Sequence, residues 1–197
     1  VSTAISIYNV NTLENFTGMF RYSAITKTID ESDTSILSNI TKVKMYKFIT
    51  PTLNNGTKYT LSFNNAFFNP HSGHNSAAGG VVSSTGFKIS GDDTNEHFLD
   101  DDGTGNIRVY YLSGTTRIYT DSTYGTIDYT NGEIILTSAN ITSISNIDGA
   151  ASARIRITVS PDSNDIVPVR NQVLSIDVAN STITGSVDTI ELSLIHI

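Results

Sequence analysis

Residues 153–177, ARIRITVSPDSNDIVPVRNQVLSID, carry the clearest strand pattern in the chain. In the first part of this stretch apolar residues alternate with polar ones, at Ile155, Ile157 and Val159. This period of two is typical of a strand with one buried and one exposed face. Residues 173–178 alternate in the same way. The pattern predicts two strands joined by a polar loop, which Pro161 and Pro168 stiffen because a proline ring fixes φ.

The stretch before it, residues 87–138, is divided by turn residues at the spacing typical of an antiparallel β domain. The predicted strands of this meander are 87–90, 96–99, 107–112, 116–120, 125–129 and 133–137. Asn131-Gly132 and Ser113-Gly114 predict tight turns, since asparagine and glycine accept positive φ at low cost. Residues 139–151 are predicted to form a loop or a single helical turn.

The first 68 residues show a different periodicity. Apolar residues spaced by three and four predict an amphipathic helix within 13–30, preceded by a short strand or extended segment at 4–8. Residues 41–50 and 58–68 are predicted to pair as a hairpin around Asn55-Gly56. The lysines of these strands are interpreted as a solvated sheet surface, because lysines commonly guard edge strands.

The sequence therefore predicts a mainly β fold with a short N-terminal helical segment (α+β), built from antiparallel hairpins and a β meander. The predicted divisions are a helix plus β-hairpin segment at 1–68, an exposed Gly/Ser/Ala-rich loop at 69–86, an antiparallel β domain at 87–190, and a non-native tail at 191–197.

Composition narrows the function classes. Twelve Lys and Arg stand against 19 Asp and Glu, a balance that argues against a broad nucleic-acid-binding face. The chain has no cysteine, so disulfides and thiolate metal sites are excluded. Its apolar runs are only a few residues long, so no membrane partner is expected. Because the sequence begins at Val1 without an initiator methionine, we expect a fragment of a longer product.

Two groups of side chains could bind metal. His71 and His74, with His97 as a possible third ligand, could hold zinc or iron; the alternative is that they are polar loop histidines. Four acids could form a calcium site or simply an acidic turn: Asp92, Asp93, Asp100 and Asp102. An EF-hand is excluded, because Tyr111 occupies the position of its bidentate glutamate.

No catalytic motif is present in the sequence, neither a G-x-S-x-G nucleophile elbow nor a phosphate-binding G-x-x-x-x-G-K loop. A glycoside hydrolase site stays possible at this point, because its two carboxylates are recognised by their distance in space, which the sequence does not give. We expect no enzymatic activity, no catalytic residues and no bound metal.

Three pieces of sequence carry a family resemblance: ILSNIT at 36–41 after the acidic residues 30–33, GTIDYTNG at 125–132, and SNDIVPVRNQ at 163–172. In this order and spacing they resemble the C-terminal half of baseplate wedge proteins of contractile-tailed bacteriophages, of the T-even-type and cyanophage-like gene product six family. The resemblance extends over roughly residues 1–190.

The resemblance implies a structural protein of the virion, located in the tail baseplate and assembled in the host cytoplasm. It implies no cofactor and no small-molecule substrate. The expected partners are the chain itself, as a dimer or ring, and the other wedge subunits around the tail tube. The last residues, LSLIHI, resemble a translated sequencing adaptor and are given no native role.

The interface residues expected from the sequence are exposed groups on the stiff loop: Val167, Pro168, Val169, Arg170 and Asn171. The alternative is that the two valines of this loop cover the underside of a sheet. A different function, a virion-surface β domain that binds host glycan, would need an aromatic platform. Tyr110, Tyr111 and Tyr119 could supply it.

Overall fold

The computed structural model describes residues 1–74, 80–169 and 172–187. The chain opens with helix α1 (Ser2–Tyr8), which continues as one turn of π-helix (Asn9–Leu13), and after a break comes helix α2 (Tyr22–Asp30). The strands are β1 (Met45–Ile49), β2 (Gly56–Ser62), β3 (Val82–Ser84), β4 (Phe87–Ile89), β5 (Asp92–Asp101), β6 (Asn106–Ser113), β7 (Thr116–Asp128), β8 (Glu133–Ile144) and β9 (Ile155–Val159).

The described strands form two antiparallel sheets. One sheet has three strands in the order β1-β9-β3, and the other has six in the order β2-β8-β4-β5-β6-β7. Strand β7 also pairs with the first part of β8, so strands β4 to β8 form a closed cycle of pairings. The predicted mainly β fold with a short helical N-terminus is confirmed.

Both sheets contribute to one hydrophobic core, which we call the β core. Strand β9 is the centre of the smaller sheet, and its apolar residues Ile155, Ile157 and Val159 are completely buried. The period of two predicted for this strand is therefore confirmed. The same alternation buries the apolar side of β6 and β8, since successive residues of a strand face opposite sides.

A second, smaller core, the helical core, lies under α1, the π-helical turn and α2. Its buried residues are Ile5, Tyr8, Leu13, Phe20, Ile25 and Ile166. Residues 173–178 form no strand; Leu174, Ile176 and Val178 pack on this core instead. The alternation predicted there is correct, because its apolar residues share one side, but the predicted second strand is wrong.

Three predictions for the N-terminal part are also wrong. Residues 4–8 are helical, and the helix predicted within 13–30 is interrupted before α2. Gly18 lies so close to the Leu13 carbonyl that a Cβ would overlap it, which marks a tight reversal of the chain. Strands β1 and β2 do not pair with each other: β1 pairs with β9, and β2 pairs with β8.

The meander from β4 to β8 is confirmed, with the predicted strands 116–120 and 125–129 merged into β7. Its tight turns contain Gly114 (φ 63°) and Gly132 (φ 64°), as predicted. The prediction of a loop from residue 139 onward is wrong for residues 139–144, which belong to β8. The predicted division of the chain at 69–86 stays a prediction, because a shared core does not test independent folding.

Candidate interaction site

Asp100 on β5 is a buried carboxylate that binds side chains of the next two strands, β6 and β7. It is 1% exposed. Arg108 Nε donates to Asp100 Oδ1 at 2.9 Å, and Arg117 Nη1 donates to Oδ2 at 2.7 Å. The Tyr119 hydroxyl also donates to Oδ2, at 2.9 Å. Three charge-assisted hydrogen bonds therefore compensate the desolvation of this acid.

Two of the three tyrosines expected to form a glycan platform, Tyr110 and Tyr119, lie beside this acid, whereas Tyr111 packs against His97. Tyr110 is buried and Tyr119 is partly exposed, with ring centroids 5.9 Å apart. The Arg117 guanidinium lies 4.6 Å from the centroid of Tyr110, and that of Arg108 lies 4.3 Å from the centroid of Tyr119. Burial, and then the bond to Asp100, raise the pKa of Tyr119. These rings are engaged by cations of the same chain, so no observation favours a sugar-binding platform here.

The next residue, Asp101, faces the opposite side of β5 and is completely buried. Its Oδ1 accepts from the backbone N–H groups of Val81 (2.6 Å) and Val82 (2.8 Å). Its Oδ2 accepts from the Tyr129 hydroxyl at 2.6 Å, and burial followed by this bond raises the pKa of Tyr129. Asp101 thus ties the start of β3 to the turn after β7. Sequence reasoning missed this role, because an acid in a run of three was interpreted as part of a solvated turn.

Of the remaining acids of the predicted calcium site, Asp92 and Asp102 serve local turns, whereas Asp93 accepts a 2.7 Å hydrogen bond from the Thr142 hydroxyl of β8. Asp102 accepts from the backbone of Thr104, Gly105 and Asn106. Burial opposes ionisation of Asp102, but the bonds from Asn106 and Thr104 outweigh it and hold its pKa well below the usual range. Asp92 accepts in the same way from its own turn. Among the described residues no three acidic or histidine side chains are placed to hold a metal ion.

The histidines are also separated by the fold. His71 and His74 lie in an exposed turn, with His74 Nδ1 3.1 Å from His71 Nε2. His97 is completely buried on β5, against the ring of Tyr111, and its Nε2 lies 3.5 Å from Asp92. The first two could share a ligand, but His97 is not placed with them in any such group.

The predicted interface loop follows Ile166, whose backbone exchanges two 3.0 Å hydrogen bonds with Phe20. Val167 and Val169 are exposed at 47% and 40%, and Pro168 is half-buried. Asn65 fixes the loop, since its side chain bonds both the N–H and the C=O of Val167. Arg170 and Asn171 lie outside the described residues.

Residues 1–48 include several large apolar side chains that are exposed. Phe16 is 84% exposed, Leu37 77% and Ile40 93%, and Ile7 and Val10 are also more than half exposed. These positions are the candidate contact residues of the segment. One of them, Phe16, was predicted on the apolar face of a helix, and the break before α2 leaves it exposed.

The side chain of Asn9 forms hydrogen bonds that hold Ser175 and Ile176 against residues 1–48. Its Oδ1 accepts from Ile176 N–H at 2.7 Å, and its Nδ2 donates to Ile176 C=O at 3.1 Å and to Ser175 Oγ at 3.0 Å. The Tyr46 hydroxyl donates to Asp177 at 2.8 Å close by. Ile166 and residues 174–178 therefore pack with residues 1–48, and together they form what we call the helical layer.

No helix in the described residues is long and apolar enough to cross a membrane. Comparison with curated proteins gave no match. A family model does match: it describes the baseplate structural protein gp6, C-terminal domain III, and it covers residues 1–48. This segment contains α1, the π-helical turn, α2 and most of β1. Over residues 1–48 the match confirms the resemblance to gp6-type baseplate structural proteins that the sequence predicted.

Proposed function

We propose that the chain is a structural subunit of a phage tail baseplate wedge, which holds neighbouring subunits in the ring around the tail tube. Its partners are other wedge subunits and further copies of itself, and it acts in the virion after assembly in the host cytoplasm. It binds no nucleic acid, membrane or small-molecule substrate. A structural role in the baseplate follows from the family match; the wedge, the ring and the named partners are our proposal.

The observation that supports this proposal most strongly is the position of the exposed apolar residues. The segment that matches the baseplate family also contains Phe16, Leu37 and Ile40, each more than three-quarters exposed. Burying such side chains against a partner is the main favourable term in protein association, at about 25 cal/mol per Å² of apolar surface. Large apolar anchors of this kind commonly dominate the free energy of an interface.

Charge also distinguishes this segment. Residues 1–48 contain five Lys or Arg and four Asp or Glu. The rest of the chain contains seven Lys or Arg and fifteen Asp or Glu. A nearly neutral, apolar surface on an otherwise acidic chain is a favourable place for contact, because like charges on two acidic subunits repel. We therefore assign the contacts with other wedge subunits to residues 1–48.

The loop after Ile166 extends the same surface. Since Ile166 pairs with Phe20, the exposed Val167 and Val169 follow directly from the helical layer. We propose that Val167, Pro168, Val169, Arg170 and Asn171 contribute to the interface, as the sequence predicted. Asn65 anchors the loop from the β region, so the loop is held in place before a partner binds.

The proposal can be tested by co-expressing the full-length parent protein with the products of neighbouring tail genes, followed by sizing and electron microscopy. Discrete wedge-shaped heteromers are expected. The double variant Phe16→Ser/Ile40→Ser should lose partner binding at least tenfold while it keeps its fold. The matched control is Val187→Ser, which removes a 92% exposed apolar residue outside the matched segment. A parent that stays monomeric with every neighbour, or equal losses in variant and control, would contradict the proposal.

A further inference from the structure

We infer that His71 and His74 form a two-histidine binding site for a divalent transition-metal ion of the Zn²⁺, Ni²⁺ or Cu²⁺ type. Imidazole nitrogen is a preferred ligand of these ions. The inference goes beyond the proposed function, and it departs from the expectation, drawn from the sequence, that no metal is bound. It concerns an exposed turn outside residues 1–48, so its failure leaves the contacts assigned to the matched segment untouched.

The two rings stand at the separation that a shared ion requires. His74 Nδ1 lies 3.1 Å from His71 Nε2, and the ring planes are 87° apart. With metal–nitrogen distances of about 2.0–2.1 Å, two ligand nitrogens lie about 2.9 Å apart for a right angle at the metal and about 3.4 Å apart for a tetrahedral angle. The observed distance falls between these values. An ion can therefore take the place of the hydrogen bond between the rings after a small rotation of each.

The backbone determines which nitrogen of His71 is available to a ligand. Its Nδ1 lies 3.3 Å from the carbonyl oxygen of Ser72. Because a carbonyl only accepts, Nδ1 carries the hydrogen in this bond, and the neutral ring keeps its lone pair on Nε2, the atom that faces His74. A metal-ligating histidine commonly donates its other ring N–H to a backbone carbonyl in this way, which fixes the tautomer and the orientation of the ring.

The turn that carries the pair is held to the rest of the fold. His74 N–H donates to the His71 carbonyl at 3.0 Å, and Gly73 N–H donates at 2.9 Å to the carbonyl of Gly103, in the turn between β5 and β6. Gly73 has a φ of 78°, which glycine adopts at low cost. The ring of Phe68 packs edge-on against His74, with 5.5 Å between centroids. The two imidazoles are therefore positioned before an ion binds, which lowers the cost of ordering them.

The number of ligands sets the kind of site. In the described chain His97 adds no third ligand, because it is buried on β5. Water fills the remaining positions around the ion, so we expect weak and reversible binding, unlike the closed four-ligand sites of structural zinc. The net charge of −7 attracts cations to the chain in general. The experiment therefore has to separate binding by imidazole from binding by carboxylates.

Calorimetric titration of the untagged 197-residue chain with Zn²⁺ tests the site. One ion per chain is expected, and His71→Gln and His74→Gln should each weaken binding at least tenfold. The matched control is His196→Gln, which removes an imidazole elsewhere in the sequence and should leave the affinity unchanged. With Cu²⁺ as the probe, pulsed electron paramagnetic resonance should show two imidazoles on the same ion, a signal that either variant of the pair loses.

A further variant tests the spacing of the rings. Gly73→Val keeps both histidines but disfavours the positive φ of the turn, so it should weaken Zn²⁺ binding at least fivefold. Gly149→Val, which strains a different exposed turn with a φ of 82°, is its control and should bind as the unmodified chain does. The inference would be overturned by an unmodified chain that binds no Zn²⁺. Undiminished binding in His71→Gln, His74→Gln or Gly73→Val would also overturn it, because the ion would then be held by other groups.

Discussion

The β region and the helical layer are held together in different ways. The β core has eighteen buried apolar residues, and two fully buried carboxylates cross-link its strands. The helical core has only six buried residues, and it depends on chain segments that are more than a hundred residues apart in sequence. In the meander from β4 to β8, sequential strands pair with each other; in the helical layer, Asn9 is hydrogen-bonded to Ile176 and Phe20 to Ile166. A large core of neighbouring strands is therefore expected to be rigid, whereas a small core closed by a distant segment can open separately.

The largest expected effect comes from removing the acid that organises the β region. Asp100→Ala leaves Arg108 and Arg117, whose side chains are 14% and 35% exposed, without their partner. Because water partly screens these cations, we expect a loss of about 3 kcal/mol of unfolding free energy, the low end for a broken buried ion pair. Urea denaturation measures this loss. The matched control is Asp148→Ala, which removes an exposed carboxylate 3.0 Å from Arg156 and should cost about 1 kcal/mol or less. Equal losses in the two variants would show that the buried Asp100 carboxylate stabilises the β region no more than an exposed ion pair does.

A smaller and more local effect is expected in the helical layer. Asn9→Ala removes both side-chain bonds to the Ile176 backbone and should cost about 1–3 kcal/mol. Because this segment can open alone, hydrogen exchange at Ile176 should accelerate about ten- to hundredfold while the amides of β9 stay protected. Asn164→Ala, an exposed residue with no side-chain hydrogen bond in the described chain, serves as the control. Faster exchange in β9 as well would show that the two cores unfold as one unit.

The smallest effect concerns turns in both regions. Hydrogen bonds from Asn131 hold the pKa of Asp128 below its usual 3.8, and hydrogen bonds from Asn180 do the same for Asp177. Since the folded-state pKa values are lowered, these carboxylates stabilise the fold above about pH 4 and lose that contribution as the pH falls. The unfolding midpoint should therefore decrease below pH 4, and less steeply in Asp128→Asn/Asp177→Asn. An unchanged acid profile in that variant would assign the acid sensitivity to other groups.

Local pattern predicted much of the β region. The period of two located β9 and most of the meander, and asparagine and glycine located its turns, because these features depend on neighbouring residues alone. Pairing between distant strands was not predictable in this way: residues 41–50 and 58–68 are close in sequence, but β1 and β2 bind partners near residues 157 and 136. Period alone also could not tell whether the alternating residues 173–178 enter a sheet or cover helices.

The candidate site was only partly predictable for the same reason. The resemblance indicated the family, and the match over residues 1–48 bears it out. The buried roles of Asp100 and Asp101 were missed, because acids are exposed by default and their partners come from other strands. A signal was nevertheless present: Arg108 and Arg117 occupy the strands that follow, where a meander brings them beside Asp100.

The pairing of β1 with β9 has a consequence for how such a protein can change. Ile49 and Ile155 are direct neighbours across these strands, so the hundred or so residues between them leave and return at one point. Strand β3 lies within this stretch and also pairs with β9, and Phe67 bridges Pro161, so the stretch is bound to its scaffold at several places. Changes in length should therefore accumulate at exposed turns away from these contacts, such as the β6–β7 turn at Gly114, while the paired strands keep their spacing.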